Sequence, residues 1–222
     1  MSTILVAAAH PDDETLGCGG TLLRHHAEGD AVHWLIATEM TPDVGGTPER
    51  MAERNREIEA VAKHFGFAGV HRLGFPAARL DVTPRAEIVA AISGVVNAVA
   101  PDTLYVPFRG DVHSDHAVLA DACAAASKWF RRASVRRVRA YETLSETEFQ
   151  IAPDMPAFRP NLFLDIAVHL KGKVAAMRLY RSEIGAFPFP RSEDAVRALA
   201  TLRGSTAGCN AAEAFMTLRE IG

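Results

Sequence analysis

Two short runs in this chain place metal-seeking side chains directly after apolar stretches. His10-Pro11-Asp12-Asp13-Glu14 follows the run from Thr3 to Ala9, and Asp111-Val112-His113-Ser114-Asp115-His116 follows Thr103 to Val106. Imidazole nitrogen and carboxylate oxygen are donors that a catalytic zinc takes from a protein, three at a time, with a fourth position left for water. His10 and Asp13 stand three apart on a tight turn, so both can face one ion, and His116 can complete the set. Asp12 then remains beside the ion as a carboxylate able to act as a base. His113 is left over, one helical turn before His116. Each cluster alone has an ordinary explanation, since Asp caps turns and helices and a histidine after a strand is commonly structural. Both together, with complementary ligand types, make a shared metal the better reading.

The elements that must carry these residues alternate along the chain. Thr3–Ala9 is a continuous apolar run, the pattern of a strand covered on both faces, and Ala31–Thr38, Gly69–Leu73, Thr103–Val106, Val135–Glu142 and Leu162–Ala167 also read as strands. Amphipathic stretches at Thr15–Glu28, Pro48–Phe65, Arg85–Val99, Ser114–Phe130, Lys171–Ser182 and Ser192–Leu202 read as helices, and Met40–Thr47 as a Gly- and Pro-containing loop. Strand–helix alternation predicts an α/β fold, a Rossmann-like three-layer sandwich with a mostly parallel central sheet. Ligands of such sheets bind outside the carboxyl ends of the strands, which puts both clusters on one edge.

Composition sets the outer limits. At 222 residues one domain spanning residues 1–222 is expected. A net charge of -3 excludes the basic footprint of a general nucleic-acid binder. Cys18, Cys123 and Cys209 are an odd, scattered set that forms neither a disulfide framework nor a thiolate metal site. With no membrane span expected and acidic residues where a leader's cleavage site would fall, the sequence reads as cytoplasmic.

Ala9-His10-Pro11-Asp12-Asp13-Glu14 together with His113-Ser114-Asp115-His116 resembles the LmbE-like, or PIG-L, family of zinc-dependent N-deacetylases. Supporting similarity lies in Arg54–Gly66, Leu73-Gly74-Phe75-Pro76, Phe163–Ile166 and Tyr180-Arg181-Ser182. The resemblance implies that His10, Asp13 and His116 bind one zinc per chain, iron(II) fitting the same donors, and that Asp12 is the general base. It further implies that His113 is a charged group meeting the oxyanion and protonating the leaving amine, oriented by Asp115, and that Arg54 contacts substrate. The implied substrate is a small amino-sugar conjugate such as an N-acetylglucosaminyl glycoside; homo-oligomer formation is left open.

Two positions depart from the pattern. Asp111 stands where some members carry a tyrosine, and Ala77 and Ala78 follow the Leu-Gly-x-Pro turn where an acidic residue is common, so that carboxylate is either missing or supplied by Asp81. Gly17-Cys18-Gly19-Gly20 lacks phosphate-loop spacing and reads as close helix-on-sheet packing or room for substrate. The remaining histidines, His25 and His33 among them, have no partner at ligand spacing; Trp34 and Trp129 read as core, and Arg131 to Arg139 as a solvated basic face. Three other functions compete: an amidase of the same fold acting on a non-sugar or thiol-conjugate amide, a non-haem iron oxygenase with the same two-His-one-carboxylate set, and a non-catalytic binding module. The extra carboxylate of Asp12 favours hydrolysis over the oxygenase, and a binding module leaves the whole His/Asp constellation unexplained.

Overall fold

The computed structural model describes residues 1–132 and 134–222. Alternating strand residues point to opposite faces, and the first strand, β1 (Thr3–Ala8), shows both faces covered. Ile4, Val6 and Ala8 join one core; Leu5 and Ala7, with Ala9 just past the strand end, join the other. Four more strands run parallel with β1: β2 (Ala31–Glu39), β3 (Gly69–Pro76), β4 (Thr103–Pro107) and β5 (Arg137–Tyr141). Two antiparallel strands, β6 (Leu162–Asp165) and β7 (Ala212–Glu220), close the far edge, giving the order β3-β2-β1-β4-β5-β7-β6.

Helices cover both faces. On one side the core takes residues from α1 (Asp13–Ala27), α2 (Pro48–Phe65), α5 (Leu170–Met177) and α6 (Glu193–Ala207). On the other it takes residues from α3 (Arg85–Val99) and α4 (Ser114–Ala126). This is the expected three-layer α/β sandwich. The order reverses between β1 and β4, whose connections leave in opposite directions, and a crevice opens at their carboxyl ends. His10 and Asp13 lie at the end of β1, and His113 and His116 follow β4, where His113 caps α4 by accepting from the Asp115 amide.

The glycines of α1 are required by packing. A Cβ on Gly17 would lie 2.2 Å from a Tyr141 ring carbon, and one on Gly20 would lie 2.7 Å from Ile166. Where these glycines leave the helix backbone bare, a buried ion pair grips it. Glu213 accepts from the amides of Gly20 (2.9 Å) and Thr21 (2.7 Å), while Lys173 donates to the Leu16 carbonyl (2.7 Å) and to Glu213 (2.6 Å). The helix that begins with Asp13 is thereby fixed against the sheet.

Some elements differ from expectation. The α4 helix stops at Ala126 rather than Phe130, and Trp129 is 64% exposed, so it is not core; Trp34 is fully buried. Strand β7 is not announced by the sequence, because Ala-Glu-Ala-Phe-Met-Thr-Leu-Arg-Glu is rich in helix formers, and only pairing with β5 and β6 makes it a strand. Among the described residues no helix is long and apolar enough to cross a membrane.

Lys173→Met should strand the buried Glu213 carboxylate and cost about 3–5 kcal/mol of stability. A shift in urea midpoint corresponding to less than about 1 kcal/mol would show that the ion pair does not hold α1.

Candidate active site

The β1–α1 turn is strained. Asp12 has φ 132° and ψ -27°, a conformation that costs a non-glycine residue about 1–3 kcal/mol. Glu14 holds the turn from below, accepting from the Asp12 amide (3.1 Å) and the Tyr180 hydroxyl (2.8 Å) as well as from Thr15. Burial pushes the Glu14 carboxyl up to about 7. Asp13 turns back so that one oxygen accepts from the His10 amide (2.8 Å) and the other lies 3.3 Å from His116 Nε2.

Hydrogen bonds fix which nitrogen of each imidazole is free. His116 Nδ1 donates to Asp111 (2.7 Å), which Thr147 also holds (2.6 Å), so Nε2 presents its lone pair towards Asp13. That nitrogen is buried and, among the described residues, has no hydrogen-bond partner. His10 Nε2 donates to Asp115 (3.0 Å), leaving Nδ1 facing Asp13 at 3.7 Å. Two imidazole lone pairs and a carboxylate therefore converge, each imidazole backed by a second carboxylate, a donor set that could hold a metal ion, with the carboxylate support that metal-binding imidazoles usually have. Burial opposes a charge on His116, yet Asp13 and Asp111 outweigh it and raise its affinity for a proton. Burial likewise works against the Asp13 carboxylate, but His116 and His10 hold it well below the usual range. The spot between them calls for positive charge, and a divalent cation fits it.

A second trio, His10, His113 and Asp115, overlaps the first. It is the poorer fit, because the Asp115 carboxylate already accepts from the amides of Ala78 (2.7 Å) and Leu80 (3.0 Å) besides His10. His113 Nδ1 is also occupied, accepting from the Asp115 amide at 3.2 Å. These bonds correct two expectations. The Asp115 carboxylate hydrogen-bonds His10 rather than His113, whose hydrogen bond with Asp115 is to the backbone amide. The His113 imidazole is pushed down to about 4 by burial and by the nearby His10 ring, against the pull of Asp115, so it is neutral near pH 7 and carries its proton on Nε2.

His10, Asp12, Asp13 and His113 line one cleft of about 500 Å³ with Leu16, Met40, Met51 and Ile58, and His116 lies buried behind it. Arg54 lines it too, but its guanidinium is engaged by the Pro11 carbonyl (3.4 Å), Glu57 (3.3 Å) and Glu183. Ala77 and Ala78 form part of the wall, whereas Asp81 is exposed outside it; besides Asp12, Asp13 and Glu183, the carboxylates lining the cleft are those of Glu39 and Glu146. Arg191 carries no signal in the sequence: its guanidinium binds the Asp12 carboxylate (2.9 Å) from 179 positions away. Burial and the charges of Asp13, Glu183 and Glu14 raise Asp12 well above an ordinary carboxylate, and Arg191 opposes them.

Of the histidines expected to have no partner at ligand spacing, His25, His33 and His71 make side-chain hydrogen bonds. His25 lies beside Glu28 and Asp30, but its ring nitrogens are taken by Asp30 (2.8 Å) and the Tyr105 hydroxyl (3.0 Å). His33 and His71 meet at 3.2 Å on the sheet edge.

Fold and site together define a PIG-L-type architecture. Residues 5–127, more than half of the chain, match the family described as PIG-L: GlcNAc-PI de-N-acetylase, and the chain belongs to that family. It is 27% identical to the diacetylchitobiose deacetylase of Thermococcus kodakarensis over 96% of this chain and 82% of that protein. The 1D-myo-inositol 2-acetamido-2-deoxy-alpha-D-glucopyranoside deacetylase of Mycobacteroides abscessus is 26% identical over 82% of this chain and 81% of its own. The crystal structure of a conserved protein from Thermus thermophilus superposes with a TM-score of 0.78 at 28% identity, covering 100% of this chain and 97% of that one.

Asp111→Asn leaves the fold intact but loses the carboxylate that fixes His116, and should weaken zinc binding about 10–100-fold. Titration of metal-free protein by calorimetry checks this; an unchanged affinity would remove Asp111 from the site.

Proposed function

We propose that this chain is a metal-dependent N-deacetylase that removes the acetyl group from an N-acetylglucosaminyl conjugate or a related amino-sugar glycoside. The observation that carries the reading is the convergence of His10 Nδ1, an Asp13 oxygen and His116 Nε2, with both imidazoles locked by carboxylates. Support comes from the names of the two relatives, both deacetylases of acetylated amino sugars. Residues 1–222 act as one domain, and the free cysteines suit the reducing cytoplasm.

His10, Asp13 and His116 would hold zinc, or iron(II), which when bound supplies Lewis acidity that polarises an amide carbonyl and acidifies water. The chain's own groups divide the remaining work. Asp12 lies beside Asp13 without being a ligand, and its raised proton affinity suits a base that takes a proton from attacking water. As the carbonyl oxygen gains charge, His113 Nε2–H donates a hydrogen bond to it as a neutral imidazole. A neutral His113 cannot first protonate the amine, so Asp12 passes the proton it has taken to the leaving nitrogen. The C–N bond breaks, and acetate and the free amine result. Arg54 keeps the substrate side of the cleft in shape, and Glu39 and Glu146 offer acceptors to sugar hydroxyls.

Acetate release should appear with one or more of a panel of N-acetylglucosaminyl conjugates and vanish after exhaustive chelation; metal-free protein with full activity would refute the reading. Asp12→Asn should lower kcat about 10²–10⁴-fold and His113→Phe about 10²–10³-fold, each with metal content unchanged. Near-normal kcat in either variant would withdraw that residue's role.

A further inference from the structure

Asp12 has to act from a backbone conformation that its own preferences oppose. Its amide is tied to Glu14, but what fixes its side chain comes from the far end of the chain. Arg191 Nη1 lies 2.9 Å from an Asp12 carboxylate oxygen and 3.0 Å from Glu183, and Glu183 in turn pairs with Arg54, which reaches the Pro11 carbonyl. The Arg191 Nε is buried without a hydrogen-bond partner among the described residues, and the guanidinium packs over the Phe189 ring, with its carbon 5.6 Å from the ring centroid. Arg191 immediately precedes Ser192, whose hydroxyl caps α6 by accepting from the Ala195 amide (3.2 Å). The arginine is therefore anchored by a capped helix on one side and by an aromatic ring on its own segment.

We infer that Arg191, braced by Glu183 and Phe189, is a positioning residue that selects the Asp12 rotamer competent to take and return the proton. The inference rests on the deacetylase reading. A planar guanidinium suits this task because Nη1 meets the Asp12 and Glu183 carboxylates together while the Phe189 ring packed against the group fixes its plane. Asp12 and Glu183 both draw on Arg191 Nη1, so removal of Arg191 is expected to act on turnover rather than on substrate binding.

Arg191→Ala should lower kcat about 10–100-fold, measured at temperatures where the variant remains fully folded, with KM and metal content unchanged. Arg191→Lys, or guanidinium ion added to Arg191→Ala, should restore part of kcat. A rise in KM at constant kcat would make Arg191 a substrate contact, and a fall in melting temperature accounting for all lost activity would make it structural; either overturns the inference. A crystal structure of Arg191→Ala gives an activity-independent readout. Several Asp12 rotamers are expected, and a single one identical to wild type overturns the inference even if no substrate has been found. Absence of acetate release by wild-type enzyme would instead count against the deacetylase reading.

Discussion

The site depends on keeping a crowd of carboxylates buried at one point. Asp12, Asp13, Glu14, Asp111 and Asp115 are each no more than 3% exposed, and isolated burial of even one such charge is prohibitive. Each has its own answer. Asp111 and Asp115 are spent on the two imidazoles, Asp13 faces both of them, Asp12 meets Arg191, and Glu14 takes hydroxyls and an amide while its proton affinity rises. The same bonds that make burial tolerable choose the tautomers of His10 and His116, and with them the direction of the free lone pairs. Electrostatic necessity and donor geometry are one arrangement seen from two sides.

The fold supplies what that arrangement needs. Reversal of strand order between β1 and β4 brings residues about a hundred positions apart to one crevice. Glycines in α1 let the helix lie against Tyr141 and Ile166, and the Lys173–Glu213 pair fixes it there. The strain at Asp12 is thus held by a rigid helix behind it and by the C-terminal segment in front.

Much of this was legible in the sequence because its signals are local. Buried parallel strands show as unbroken apolar runs, helix α2 begins at Pro48 and ends at Phe65 with Gly66 in a left-handed cap, and the ligand types sit directly after two strands. What stayed hidden is long-range. Arg191 and Glu183 belong to a segment with no motif of its own, and β7 is written in helix-forming residues. Spacing placed Asp115 next to His113, but could not foresee that its side chain turns to His10 and the Ala78–Leu80 backbone. Nor could it show that burial would keep His113 neutral.

The central claim is that His10, Asp13 and His116 form the reaction centre, with Asp12 and His113 flanking it. Diffraction at the zinc absorption edge, from crystals grown with zinc and acetate, tests it most directly. One anomalous peak is expected, bounded by His10 Nδ1, an Asp13 oxygen and His116 Nε2, with acetate between Asp12 and His113 Nε2. A peak bounded instead by His10, His113 and Asp115, or no peak in the cleft, would contradict it.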